Sequence, residues 1–113
     1  MHELGITQDL VDLIVQQAAG RPVVRVRLRV GRLSGLDPEA LRFCFGPCSA
    51  GTIAASATLE IETVPGQGRC QRCGATFPLG DYVGLCPACG NSHLDISGGD
   101  DLVLAALEVE QCA

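Results

Sequence analysis

The chain has 113 residues, enough for one modest core and too few for two independent ones. Its net charge is −5 and all eight basic residues are arginine, so it lacks the positive footprint that binding a phosphate backbone demands. Hydrophobic residues make up 47% but aromatics only 4%, with no tryptophan, so the core must be built from Val, Leu, Ile and Ala. No apolar run approaches the roughly 20 residues of a membrane span. The opening Met-His-Glu-Leu has no basic segment before an apolar stretch, so no secretory signal is read and a cytoplasmic location is expected.

Residues 3–19 read as an amphipathic helix. Leu4, Ile6, Leu10, Val11, Leu13, Ile14, Val15 and Ala18 supply a broad apolar face, and Gly20 is a natural stop. A strand follows in which Val24, Val26, Leu28 and Val30 alternate with Arg25, Arg27 and Arg29. Gly31 to Gly35 reads as a loop. Asp37-Pro38 is a strong helix start, an N-cap followed by proline at the first helical position, with Glu39 suited to the dipole there. Pro47 is expected to limit how far that helix runs.

A second strand alternates Leu59, Ile61 and Thr63 with Glu60 and Glu62. A third alternates Val103, Ala105, Leu107 and Val109 with Glu108 and Glu110. Arginine on one strand and glutamate on two predicts that the arginine strand lies next to at least one of the glutamate strands, since opposite charges across neighbouring strands favour pairing by about 0.2–1 kcal/mol per pair.

Between the second and third strands lie Cys70-Gln71-Arg72-Cys73-Gly74 and Cys86-Pro87-Ala88-Cys89-Gly90. Two cysteines separated by two residues can put both sulfurs on one ion about 2.3 Å away, and the glycine lets the backbone turn its N–H groups toward them. The spacing and the absence of a secretory signal favour reduced thiols on metal over disulfides. Some 30 residues with little apolar content cannot fold alone, and zinc binding, worth about 10–16 kcal/mol in small modules, can supply the difference. The expected architecture is therefore α+β. A small three-stranded sheet with two helices spans residues 1–64 and 97–113, and a zinc-ribbon domain is inserted at 65–96.

A closed four-thiolate site is the mark of structural zinc. Iron is the alternative, because the paired motifs are similar to the knuckles of rubredoxins. His93 is four residues past Cys89 and could join the site, though a solvated loop histidine is the simpler role. Cys44 and Cys48 are spaced to share a helix face but flank Pro47, and isolated cysteines are usually small core residues. Cys112 reads as a terminal free thiol.

His2 offers a different chemistry. Its imidazole and backbone nitrogen, the Met1 amine and the Glu3 amide form a planar set of nitrogens, which suits Ni(II) or Cu(II). A mobile terminus is the plainer reading.

Several segments taken together resemble one family. These are Met1-His2-Glu3-Leu4 opening a helix, Gly31-Arg32-Leu33-Ser34-Gly35 before a Pro-Glu helix start, and Gly51-Thr52-Ile53 leading to Leu59-Glu60-Ile61. The paired Cys-x-x-Cys motifs and Ser97-Gly98-Gly99-Asp100 complete the set. The chain is similar, over essentially its whole length, to the HypA/HybF family of hydrogenase nickel-incorporation proteins. The resemblance implies a non-enzymatic nickel metallochaperone that binds Ni(II) through the Met1 amine, backbone amides and His2, with Glu3 beside the site. It implies delivery to the hydrogenase large subunit precursor with a HypB-type nickel-insertion GTPase, and in some members to urease accessory proteins. It also implies structural Zn(II) on Cys70, Cys73, Cys86 and Cys89, with no nucleic acid and no membrane as partners. In some members histidines flanking the cysteine pairs adjust that site, and here only His93 is available. The competing functions are a zinc-ribbon module for protein or nucleic-acid interaction and a rubredoxin-like electron carrier.

Overall fold

The computed structural model describes residues 2–82 and 84–111, the side chain of His2 excepted. In chain order the elements are α1 (His2–Ala18), β1 (Val23–Gly31), α2 (Pro38–Ser49), β2 (Thr58–Val64), β3 (Gly66–Cys70), β4 (Thr76–Leu79), β5 (Leu94–Ser97) and β6 (Leu102–Val109). The strands form two three-stranded sheets, ordered β2-β1-β6 and β4-β3-β5. The fold is α+β, as expected. Among the described residues no helix is long and apolar enough to cross a membrane.

The first sheet is held by its centre. β1 pairs in parallel with β2, with α2 in the connection between them, and antiparallel with β6. The arginine strand therefore lies between both glutamate strands. Arg27 meets Glu60 at 3.2 Å and Arg29 meets Glu62 at 3.3 Å, while Arg25 reaches Glu60 and Glu108, each at 3.5 Å. These side chains are about half exposed, so each pair is worth roughly 0–1 kcal/mol and weakens with salt. Their effect is to fix which strands are neighbours and in what register.

On the other face α1 and α2 cover the core. Ile14, Val26 and Leu28 are wholly inaccessible, Val30 and Leu41 nearly so, and Leu10, Val11, Val23, Phe45 and Leu59 surround them. α1 ends at Ala18, one residue before the expected limit, with Ala19 and Gly20 both at positive φ. Asp37 caps α2 by accepting from the Glu39 N–H at 3.0 Å.

Two phase expectations are corrected. β1 buries Val23 rather than Val24, because a register shift between Val23 and Arg25 leaves Val24 as the extra residue of a bulge. In β6 a second shift places Ala106 opposite Arg27 and Leu104 opposite Leu28. Leu102 and Leu104 therefore join Leu107 and Val109 on the core, and Val103, expected inward, is exposed. Strict alternation cannot see an inserted residue. α2 also runs past Pro47 to Ser49. Proline there forfeits a backbone bond to Phe43, but only two helical residues follow it, and the helix stays anchored by buried Leu41, Phe45 and Ser49.

The molecule measures 58 × 32 × 17 Å with a radius of gyration of 17.7 Å, against about 13 Å for a compact chain of this length. At the junction of the sheets three backbone segments pass in contact. Arg32 N–H donates to Val64 O at 2.8 Å, Leu33 N–H to Gly99 O at 2.7 Å, and Gly31 N–H to Asp101 O at 2.8 Å. A Cβ on Gly31 would overlap the Gly99 carbonyl, and one on Gly99 the Gly66 nitrogen.

Two glycine substitutions should therefore move stability in opposite directions. In α1 a Cβ on Gly5 meets no atom within 4 Å, so Gly5→Ala is expected to stabilise by about 0.5–1 kcal/mol. Gly31→Ala meets backbone that cannot rotate away and is expected to cost about 3 kcal/mol or more. Urea unfolding of the three proteins measures both.

Candidate metal centre

β3 and the two turns that follow β3 and precede β5 build the four-thiol cluster. The two turns are near copies of each other. In the first, Cys70 N–H donates to Ala75 O and Gly74 N–H to Cys70 O; in the second, Cys86 N–H donates to Asn91 O and Gly90 N–H to Cys86 O. Gly74 and Gly90 both have φ of 78°, where a residue with a Cβ is strained. Each turn bends back on itself, so its two sulfurs face the other turn's pair.

The sulfurs of Cys70, Cys73, Cys86 and Cys89 all lie within 4.8 Å of one another. Cys70 and Cys89 are 3.5 Å apart, Cys73 and Cys86 3.6 Å. A tetrahedral ion with bonds of about 2.3 Å requires sulfur separations of roughly 3.8 Å. The donor set fits a closed tetrathiolate.

Backbone N–H groups converge on the sulfurs. Arg72 and Cys73 donate to Cys70 Sγ at 3.3 and 3.4 Å, and Asn91 Nδ2 adds a third bond at 3.6 Å. The Cys73 N–H above all, opposed by burial and aided by Arg72, Asn91 and Cys89, brings the Cys70 thiol down to about 6. Burial raises Cys86, but the Cys89 and Ala88 N–H groups prevail and lower it. Cys73 is lowered by the Ala75 N–H and more than offset by the neighbouring Cys86 and Cys70 sulfurs, so it ends raised. At Cys89 the Asn91 N–H lowers the thiol, but the Cys70 sulfur, burial and the Cys73 and Cys86 sulfurs push it up to about 11.

His93 stands outside this group. Its ring Nδ1 lies 3.4 Å from Asn91 Oδ1, and its carbonyl accepts from Gln71 N–H and Asn91 Nδ2. Asn91 is the residue that sequence reasoning missed: it ties Cys70 to the chain beside the second turn. Its only signal was its position just after Cys89-Gly90.

At the other end of the chain, Met1 and the His2 side chain lie outside the described residues, as do Val83 and Cys112. Glu3 is placed: its Oε2 accepts from the Asp37 N–H at 3.3 Å, against the start of α2. Cys44 and Cys48 are both half-buried on α2. Burial, then Cys44 and Asp12, pushes the Cys48 thiol up, as befits a small residue at the rim of the core.

An α+β fold that gathers four thiols at one point defines a small metal-handling protein. A family model described as "Hydrogenase/urease nickel incorporation, metallochaperone, hypA" matches residues 1–109. The chain belongs to the HypA family, whose members are metallochaperones and not enzymes. Among similar proteins, the hydrogenase maturation factor HypA of Geobacter sulfurreducens is 46% identical over 110 residues, covering 97% of this chain and 100% of its own. That of Nostoc punctiforme is 44% identical over 111 residues, covering 98% and 97%. In fold, the chain is similar to the solution structure of the Ni metallochaperone HypA from Helicobacter pylori, with a TM-score of 0.64, 21% identity and coverage of 95% and 96%. A second HypA solution structure gives 0.67 at 23% identity, covering 97% of both chains.

The unequal thiols set a proton count. At pH 7.5 the metal-free protein holds protons on Cys73 and Cys89, while Cys70 is ionised. Metal binding is expected to release about two to three protons, so affinity rises with pH. Below about pH 6 Cys70 also takes up a proton, and the dependence steepens by one proton. Calorimetry in buffers of different ionisation enthalpy measures this. Asn91→Ala, which keeps all four cysteines, should weaken metal binding by about tenfold, read by competition with a chelator.

Proposed function

We propose that this protein carries Ni(II) bound at Met1, His2 and Glu3 and delivers it for maturation of a [NiFe]-hydrogenase, with Zn(II) held structurally by Cys70, Cys73, Cys86 and Cys89. The observation that carries the proposal is the match to the nickel-incorporation family over residues 1–109, which takes in both the Met1-His2-Glu3 opening and the cysteine pairs. The bond from the Asp37 N–H to Glu3 supports it by tying the first turn of α1 to the start of α2, so that ligands beside it would be held near a fixed surface.

The two metals suit different ends of the chain. Nitrogen donors in a plane favour Ni(II), and four thiolates in a closed tetrahedron favour Zn(II). Zinc supplies cohesion where apolar burial is thin, with Tyr82 and Leu85 both exposed. On this reading residues 1–64 and 97–113 form the nickel-binding domain and 65–96 the zinc domain, working in the cytoplasm. The partners are the hydrogenase large subunit precursor, a HypB-type nickel-insertion GTPase and urease accessory proteins.

Nickel calorimetry on the native N-terminus, on His2→Ala and on protein with a residual N-terminal tag tests the assignment. The two altered proteins should lose roughly tenfold or more in nickel affinity, about 1.4 kcal/mol, while keeping one zinc each. Equal nickel binding by all three would rule out the N-terminal site.

A further inference from the structure

We propose that the outer edge of β6, with the groove it forms beside α1, docks an extended segment of a partner protein whose alternating apolar residues are flanked by basic ones. β6 is the last strand in the order β2-β1-β6, so among the described residues no strand lies along its outer margin. Its backbone N–H and C=O groups there are a template for one more strand. Leu102, Leu104, Leu107 and Val109 pack on the core, yet none is fully buried. Beside them Leu13 of α1 is 40% exposed and Val103 39%. A groove of about 590 Å³ runs between Leu13, Gln17 and residues 102–107.

The usual guards of a free edge are weak here. Residues 102–107 contain no lysine, no proline and no charge; the bulge near Ala105 is the single device that twists this edge.

Charge selects the occupant. Asp100 and Asp101 stand at one end of the strand and Glu110 at the other, and none of the three makes an ion pair among the described residues. Glu108, in contrast, is engaged by Arg25 at 3.5 Å. A second copy of β6 laid antiparallel would bring Asp101 against Glu110 at both ends, which is repulsive. A segment with basic flanks would meet those same carboxylates favourably, and its apolar face would cover Leu13 beside Leu102, Leu104 and Leu107. The inference does not depend on where nickel binds.

The test is an amide NMR titration of the full, zinc-loaded chain with the synthetic peptide Arg-Arg-Val-Thr-Val-Thr-Val-Arg-Arg. Its controls are the same peptide with glutamate flanks and one N-methylated at alternate backbone nitrogens. Shifts should concentrate on residues 102–109 and on Leu13 and Gln17. The glutamate-flanked peptide should bind about tenfold more weakly, and N-methylation should abolish binding in one of its two phases. Leu13→Arg, at an exposed position, should weaken binding with the far-ultraviolet circular dichroism unchanged. The proposal is overturned if the shifts fall elsewhere, if both flanks bind equally, or if neither phase of N-methylation weakens binding. It is also overturned if the β6 amides shift with protein concentration alone, which would make a second copy the occupant.

Discussion

Where the two sheets join, three stretches of backbone cross with no room for a side chain between Gly31, Gly66 and Gly99. The remainder of the architecture follows from that contact. β2 passes into β3 across a single residue, Pro65, and β5 returns to β6 across 98–101, so both connections leave the first sheet at the same place. The loop after β1 closes over them with three backbone hydrogen bonds, and Leu33, buried there, lies against Gly66. The thiol-bearing sheet contributes no residue to the core of the first sheet. The elongated shape is the outcome.

The same reliance on backbone governs the four-thiol cluster. Among the described residues no arginine side chain is hydrogen-bonded to these sulfurs; peptide N–H groups and Asn91 hold them. Fixed dipoles stabilise thiolates without adding charge to an acidic chain, and they are in place before any ion arrives. Because the two turns repeat one hydrogen-bonding pattern, the four sulfurs are equivalent in pairs by position. The N–H groups aimed at Cys70 and Cys86, and the contacts between sulfurs that raise Cys73 and Cys89, then separate them in acidity.

Much of this was written plainly in the sequence because it was written in charge, spacing and caps. Arg25, Arg27 and Arg29 against Glu60, Glu62 and Glu108 announced that a glutamate strand lies beside the arginine strand, though not that both do; Asp37-Pro38 announced α2, and the cysteine pairs announced the cluster. The bulges at Val24 and near Ala105 were illegible, since periodicity assumes that every residue advances the pleat. Pro47 does stand near the end of α2, which runs only two residues beyond it; buried neighbours hold that last stretch. The junction glycines looked like ordinary loop residues, because a close approach between segments far apart in sequence leaves no local mark. Asn91 was hidden for the same reason.

One contact at the junction has an optical consequence. The Tyr82 hydroxyl donates to the Leu33 carbonyl at 2.9 Å, joining the segment that leads into Cys86 to the loop that follows β1. Tyr82 is the only tyrosine in the chain, and there is no tryptophan. The native emission of this protein therefore comes from one phenol located where its two sheets meet. Any loosening of that seam is reported by an unlabelled fluorophore that the molecule already carries.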